Sequence, residues 1–256
     1  MFNFRFLLLS LGVLIFSACA HAAEFTKFPL KLSPTSEMSA IRVSGLIEAG
    51  DTADFEDIIA KNSPILRRSI YLSLNSPGGD LVEAIAFAKL IRKIGFYTIV
   101  EENSSCISAC FILYAAGFAR MGQLPLVRSA DEVTNIGVHR AFIDRADMAK
   151  LSPSEASDVV RRLTALSSKA LRELDITDDT IQLIQKTPAA GVRFLTVGQL
   201  SAIPTPPWFD DLAIARCKLT LPANNTPESF AYFKRLAECQ AEVIFDHHFK
   251  QFSANQ

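Results

Sequence analysis

From Ile41 onward the apolar positions of the chain switch between two periods. IRVSGLI (41–47), SIYLSLNS (69–76) and YTIVEE (97–102) are short apolar-rich runs of strand type, whereas DTADFEDIIAKN (51–62) and LVEAIAFAKLIRKIG (81–95) repeat at helical spacing. Asp51 or Thr52 is the expected cap of the first helix. In the second, Leu81, Ala84, Ile85, Ala88 and Ile91 share one face until Gly95 ends it. A strand, helix and strand within about 30 residues make a βαβ unit with parallel strands. The unit repeats: YTIVEE leads through Ser104 to Cys110 into a helix ending near Gly117, and ARMGQ and NIGVHRA supply further short strands. The expected class is therefore α/β, a layered fold of repeated βαβ units with flanking helices. Residues 24–40, before this regular text, hold no strong pattern and are expected to form an N-terminal extension, 23–40.

Further on, Ser152, Pro153 and Glu155 form a capping box with proline at the first helical position. Val159, Leu163, Leu166, Ala170 and Leu174 then line one face of a long helix, expected to be core or subunit interface rather than a ligand-binding surface. Thr180 to Lys186 makes a short helix, and RFLTVGQLSAIPTPP closes the regular part with a proline-rich break. Residues 206–256 read as a helical appendage whose helix, from Pro227 to about Phe252, carries Cys239. No repeat of solenoid period and no low-complexity tract occurs.

Composition narrows the partners. With 26 basic and 27 acidic residues among 256, the chain has no excess positive field for nucleic acid. The first residues, MFNFRF, carry one positive charge, run apolar from Phe6 to Phe16 and end in the small-residue stretch SACAHAAEF, the layout of a secretory signal peptide over 1–22. The apolar run is short of the roughly 20 residues a bilayer span needs. Cleavage after Ala22 fits the small-x-small rule through Ala20 and Ala22. A lipoprotein site at Cys19 is the weaker alternative, because bulky Phe16 sits where such sites hold a smaller aliphatic residue. The mature chain is then periplasmic or secreted. Loss of Cys19 leaves Cys106, Cys110, Cys217 and Cys239, an even number in an oxidising compartment, with the local pairs Cys106–Cys110 and Cys217–Cys239 expected. The first pair can close only if Cys106 lies before the helix begins, since cysteines four apart in a regular helix sit too far apart for a relaxed bridge. Metal binding is the weaker use of these thiols: they lack nearby histidines, and His247 and His248 are adjacent rather than helically spaced. No cofactor is expected.

Three short motifs carry chemistry. NSPGGD (75–80) stands where a strand hands over to a helix, and its glycines let the backbone turn sharply and face N–H groups outward at the positive end of a helix dipole, which suits an anion. Ser108 stands at the corresponding junction of the next unit. His139, the only histidine of the folded middle of the chain, ends the strand NIGVHRA. A serine hydroxyl is a weak nucleophile until a base takes its proton. Outward amides, a serine at a helix start and a strand-end imidazole together match the parts needed for acyl transfer.

NSPGGD, CISACFILYAAG and IGVH, in that order, resemble the proteolytic subunit of Clp-type serine proteases within the Clp/crotonase superfamily. The likeness covers about Ile41 to Thr205, and RFLTVGQLSAIPT is similar to the family's late segment. With its export signal and cysteine-flanked serine, the chain looks still more like the periplasmic bacterial branch. The resemblance implies a Clp/crotonase-like domain over 41–205, with Ser108 as nucleophile, His139 as base, and Gly79 and Ala109 as the oxyanion-hole amides. The interval of 29 residues from Gly79 to Ser108 matches the family's. It also implies a peptide or protein substrate and a homo-oligomer; an ATPase partner is not expected outside the cytoplasm. The chain departs from the family where an aspartate should orient the histidine. QKTPAAGVRFL has none, Thr187 is nearest in register, and Asp175, Asp178 and Asp179 lie upstream as candidate third members. The expected function is an exported serine hydrolase, a peptidase, with a Ser–His dyad or incomplete triad. The alternative is a catalytically weak or inactive Clp-like module that binds peptide or assembles. A crotonase-like thioester enzyme stands third, because it leaves the pairing of Ser108 with His139 unexplained.

Overall fold

In a computed structural model the described residues are 22–33, 36–66, 71–117, 120–121 and 130–203, together with Cys217 and Cys239. The signal-peptide stretch before Ala22 and, apart from Cys239, the helix expected from Pro227 lie outside them.

Two sheets are present among these residues. The first has five strands in the order β1 (Glu24–Ser33), β2 (Ser36–Ser44), β3 (Tyr71–Asn75), β4 (Tyr97–Ile99) and β6 (Arg120–Met121). Strands β2, β3, β4 and β6 run parallel, each pair joined through a helix: α1 (Asp51–Leu66), α2 (Leu81–Ile94) and α3 (Cys110–Ala116). The second sheet pairs β5 (Cys106–Ile107) with β7 (Val133–Val138) in parallel and β7 with β8 (Arg193–Thr196) antiparallel. A parallel bridge between Ser76 and Cys106 carries the end of β3 from the first sheet into the second. The chain is thus mixed α/β with successive parallel β–α–β units. Helices α4 (Arg145–Met148), α5 (Pro153–Glu173), α6 (Asp178–Lys186) and α7 (Val197–Ser201) complete the described part.

The N-terminal extension expected over 23–40 is instead part of the sheet. Its strand β1 pairs antiparallel with β2 from Glu24 opposite Ser44 to Ser33 opposite Ser36, and Leu30 is buried. Phe25, Phe28 and Leu30 do not alternate evenly, and Pro29 argues against a strand. The position at the sheet edge admits both, since an edge strand can spare one ladder donor.

The core lies between the first sheet and α1, α2 and α3. Phe55 of α1, Phe87 of α2 and Phe96 after it are fully buried, with Phe55 within 4.7 Å of the Phe87 ring and 5.5 Å of the Phe96 ring. Such tilted pairs combine area burial with favourable edge-to-face electrostatics. Helix α2 holds its register because Asp80 caps it, accepting the Glu83 N–H at 2.8 Å, and Gly95 closes it in the left-handed region at φ 86°. The capping box of α5 forms as expected, with the Ser152 side chain on the Glu155 amide and the Glu155 side chain on the Ser152 amide. No helix among the described residues is long and apolar enough to cross a membrane.

Gly117 packs against Thr98, whose hydroxyl donates to Tyr114 O at 2.8 Å. A Cβ at Gly117 would overlap the Thr98 Oγ1 atom. Gly117→Ala should therefore lower the unfolding free energy by about 2 kcal/mol. The double variant with Thr98→Ala should recover only part of that, because the Cβ at position 98 would still stand 2.9 Å from the new methyl; chemical denaturation of the three proteins measures it.

Candidate active site

The site is built where the two sheets part. The Ser76 N–H donates to Ser105 O at 2.8 Å and the Ile107 N–H to Ser76 O at 3.0 Å, so the strand leading to Ser108 is laid along the end of β3. Ser108 then leaves the strand in the left-handed region, at φ 59°, and its N–H donates to Gly137 O on β7 at 2.9 Å. A non-glycine residue held there costs of order 1 kcal/mol and marks a constrained turn. Helix α3 starts two residues later, at Cys110, not around Ser108 as the apolar pattern suggests.

The glycine turn is pressed against this serine. A Cβ on Gly78 would stand 2.7 Å from Ser108 Cβ, 2.8 Å from Ile107 O and 3.0 Å from Ala109 N, and Gly78 and Gly79 have φ of 105° and 146°. Only glycine fills both the space and the dihedral there. Gly79 is pinned from its other side by Ile47, whose N–H donates to Gly78 O and whose carbonyl accepts the Asp80 N–H, both at 2.8 Å. A Cβ on Gly79 would overlap Ile47 O. The N–H groups of Gly79 and Ala109 have no acceptor among the described residues, and both residues line the cavity that also receives Ser108. Two free amides beside a hydroxyl can hold a developing negative charge.

The disulfide Cys106–Cys110 closes over Ser108, with a Cα separation of 5.2 Å and both cysteines fully buried. It forms because Cys106 lies on β5, outside the helix. Cys217–Cys239 is likewise bridged. Two disulfides belong to a chain that matures in an oxidising compartment.

His139 follows β7 immediately, is half-buried, and lines the same cavity as Ser108. Its Nδ1 lies 3.0 Å from Arg140 O, and its ring centroid is 5.5 Å from that of Phe142. A carbonyl can only accept, so in this contact Nδ1 carries the proton and Nε2 keeps a free lone pair. Ser108 Oγ makes no hydrogen bond to a described residue, His139 included.

The structure draws none of the three upstream aspartates to the cavity. Asp175, itself at φ 63°, pairs with Arg92 at 3.7 Å; Asp178 accepts from Arg172 Nε at 3.0 Å; Asp179 is exposed in the first turn of α6. They sit at or before the start of α6, whereas its far end meets the histidine loop: the Arg140 N–H donates to Thr187 O at 3.0 Å. Thr187 thus meets the main chain of the residue after His139, and its hydroxyl donates to Leu183 O.

The cavity encloses about 730 Å³. Val159, Leu163 and Leu171 of α5 line it, so of the helix face expected to be core or interface Val159 and Leu163 open onto this space, whereas Ala170 and Leu174 are buried. Glu48, Asp80, Asp144 and Asp147 also line it, without a lysine or arginine among the lining residues. Sequence reasoning missed the contribution of Ile47 and Glu48, which only the bridge to Gly79 brings to the site. Compared with known proteins, the chain matches no family model and no curated protein.

Because glycine relieves the left-handed strain at position 108 and alanine does not, Ser108→Gly should be more stable than Ser108→Ala by about 1 kcal/mol, read as a difference in denaturation midpoint.

Proposed function

We propose that the chain is an exported serine hydrolase, a peptidase similar in plan to the Clp proteolytic subunit, working in the periplasm or outside the cell after loss of its signal peptide. One observation carries the reading: Ser108, held at a left-handed turn, shares a cavity with an imidazole whose Nε2 is free and with two unpaired amides. In the reaction, Ser108 Oγ attacks the scissile carbonyl carbon while His139 Nε2 takes its proton. The carbonyl π electrons move to oxygen, which the Gly79 and Ala109 N–H groups stabilise. The imidazolium returns the proton to the leaving amine, the C–N bond breaks, and an ester to Ser108 remains. Water activated by the same nitrogen hydrolyses that ester. The Arg140 carbonyl takes the place an aspartate has in a full triad: it holds the tautomer but brings less charge to the imidazolium, so turnover is slow. The acidic, apolar cavity favours peptides with bulky apolar side chains and basic neighbours over acidic ones.

A second reading has its own support in the unmade bond between Ser108 and His139: a Clp-like module that binds peptide or assembles without cleaving. Under that reading His139→Ala leaves cellular function intact.

A fluorophosphonate probe should label the purified protein on Ser108, and Ser108→Ala should abolish labelling; equal labelling of both would falsify the hydrolase reading. His139→Ala should slow labelling by about a hundredfold or more. Among fluorogenic peptides, a basic apolar sequence should be cleaved faster than its acidic counterpart, and the gap should shrink as salt is raised.

A further inference from the structure

Asp51 is a buried carboxylate that the proposed chemistry does not use. Only 1% of it is exposed, it opens α1, and one of its oxygens accepts the Glu48 N–H at 2.7 Å. Among the described residues it has no lysine or arginine partner. Burial pushes its pKa up; the backbone amides of Glu48 and Ala23 pull it down, and the neighbouring carboxylates of Glu83 and Glu48 push it up again. A buried carboxylate attended by two amides and two further carboxylates lacks a cation.

One of those amides belongs to Ala23, the residue after the small-x-small site. Ala22 is exposed, Ala23 is buried, and β1 begins at Glu24. We propose that the Ala22–Ala23 bond is the maturation site and that the α-ammonium it frees is the missing counter-ion of Asp51. A signal peptidase adds water across that bond, leaving a carboxylate on Ala22 and an amine on Ala23 that takes up a proton. The nitrogen that gains the charge belongs to the same Ala23 backbone group that favours the Asp51 carboxylate.

The pair has a second consequence, which rests on the hydrolase reading. Asp51 holds the amide of Glu48, and the adjacent Ile47 makes both backbone bonds that pin Gly79. The charged N-terminus therefore steadies the turn that presents the Gly79 N–H. Removing the leader and setting the oxyanion amide become one event.

The test reads the N-terminus and stability, not activity, so it can fail while the hydrolase reading stands, and the reverse. Exported protein is purified for intact-mass measurement, and its melting is compared with that of a form carrying one extra residue before Ala23, each with and without Asp51→Asn. The mass should begin at Ala23. The extension should lower the melting temperature by about 5 °C when Asp51 is present and leave it unchanged in Asp51→Asn. Should Asp51→Asn not fold, the Ala23 α-amine is titrated by NMR after reductive ¹³C-methylation and should lie above the ordinary range of roughly 7.7–8.0. A mature chain starting elsewhere, an equal effect of extension in both backgrounds, or an α-amine titrating in its ordinary range overturns the proposal.

Discussion

The backbone of Gly78 lies against Ser108 and Ala109 so closely that no side chain fits between, and this contact sets the geometry of the whole site. It needs two things at once: a residue without Cβ at φ 105°, and a partner turn that carries its own Cβ at the unfavourable φ of 59°. The energy to hold both comes from the ladder that continues β3 through Ser76 into β5 and from the ladder that continues Ser108 onto β7. Local strain is thus supported by regular structure on either side, and the strained residue is the one with the chemical group.

The buried bridge between Cys106 and Cys110 acts on the same turn. By joining the last strand residues to the first helical residue it restricts the alternatives open to the short stretch containing Ser108. Gly79 is restrained from the opposite side by Ile47, and Ile47 in turn by the Glu48–Asp51 turn at the start of α1. Three segments far apart in the chain, near residues 47, 79 and 108, therefore share the work of orienting one pair of amides.

The imidazole is oriented differently. Its Nδ1 rests on a main-chain carbonyl, and its loop is tied by main-chain bonding to Thr187. Charge instead gathers around the rim as Glu48, Asp80, Asp144 and Asp147. Two of these, Asp80 and Asp144, already accept helix-capping amides, so their carboxylates belong to the fold as well as to the cavity.

Helices α2 and α5, the parallel strands and both disulfide pairs were legible from spacing alone, because periodicity, caps and cysteine count are local properties. So were Ser108, His139 and the glycine turn, each placed by a strand-end signal. Three features were decided by tertiary structure. Strand β1 was hidden because its apolar residues do not alternate and its pairing with β2 supplies what the pattern lacks. The separation of Asp175, Asp178 and Asp179 from the histidine follows from α6, whose far end reaches the site while its start stays outside. The inward use of Val159 and Leu163 depends on how α5 crosses the cavity. An apolar stripe specifies that a helix face must be covered, but what covers it is set by contacts between residues remote in the chain, which no local pattern encodes.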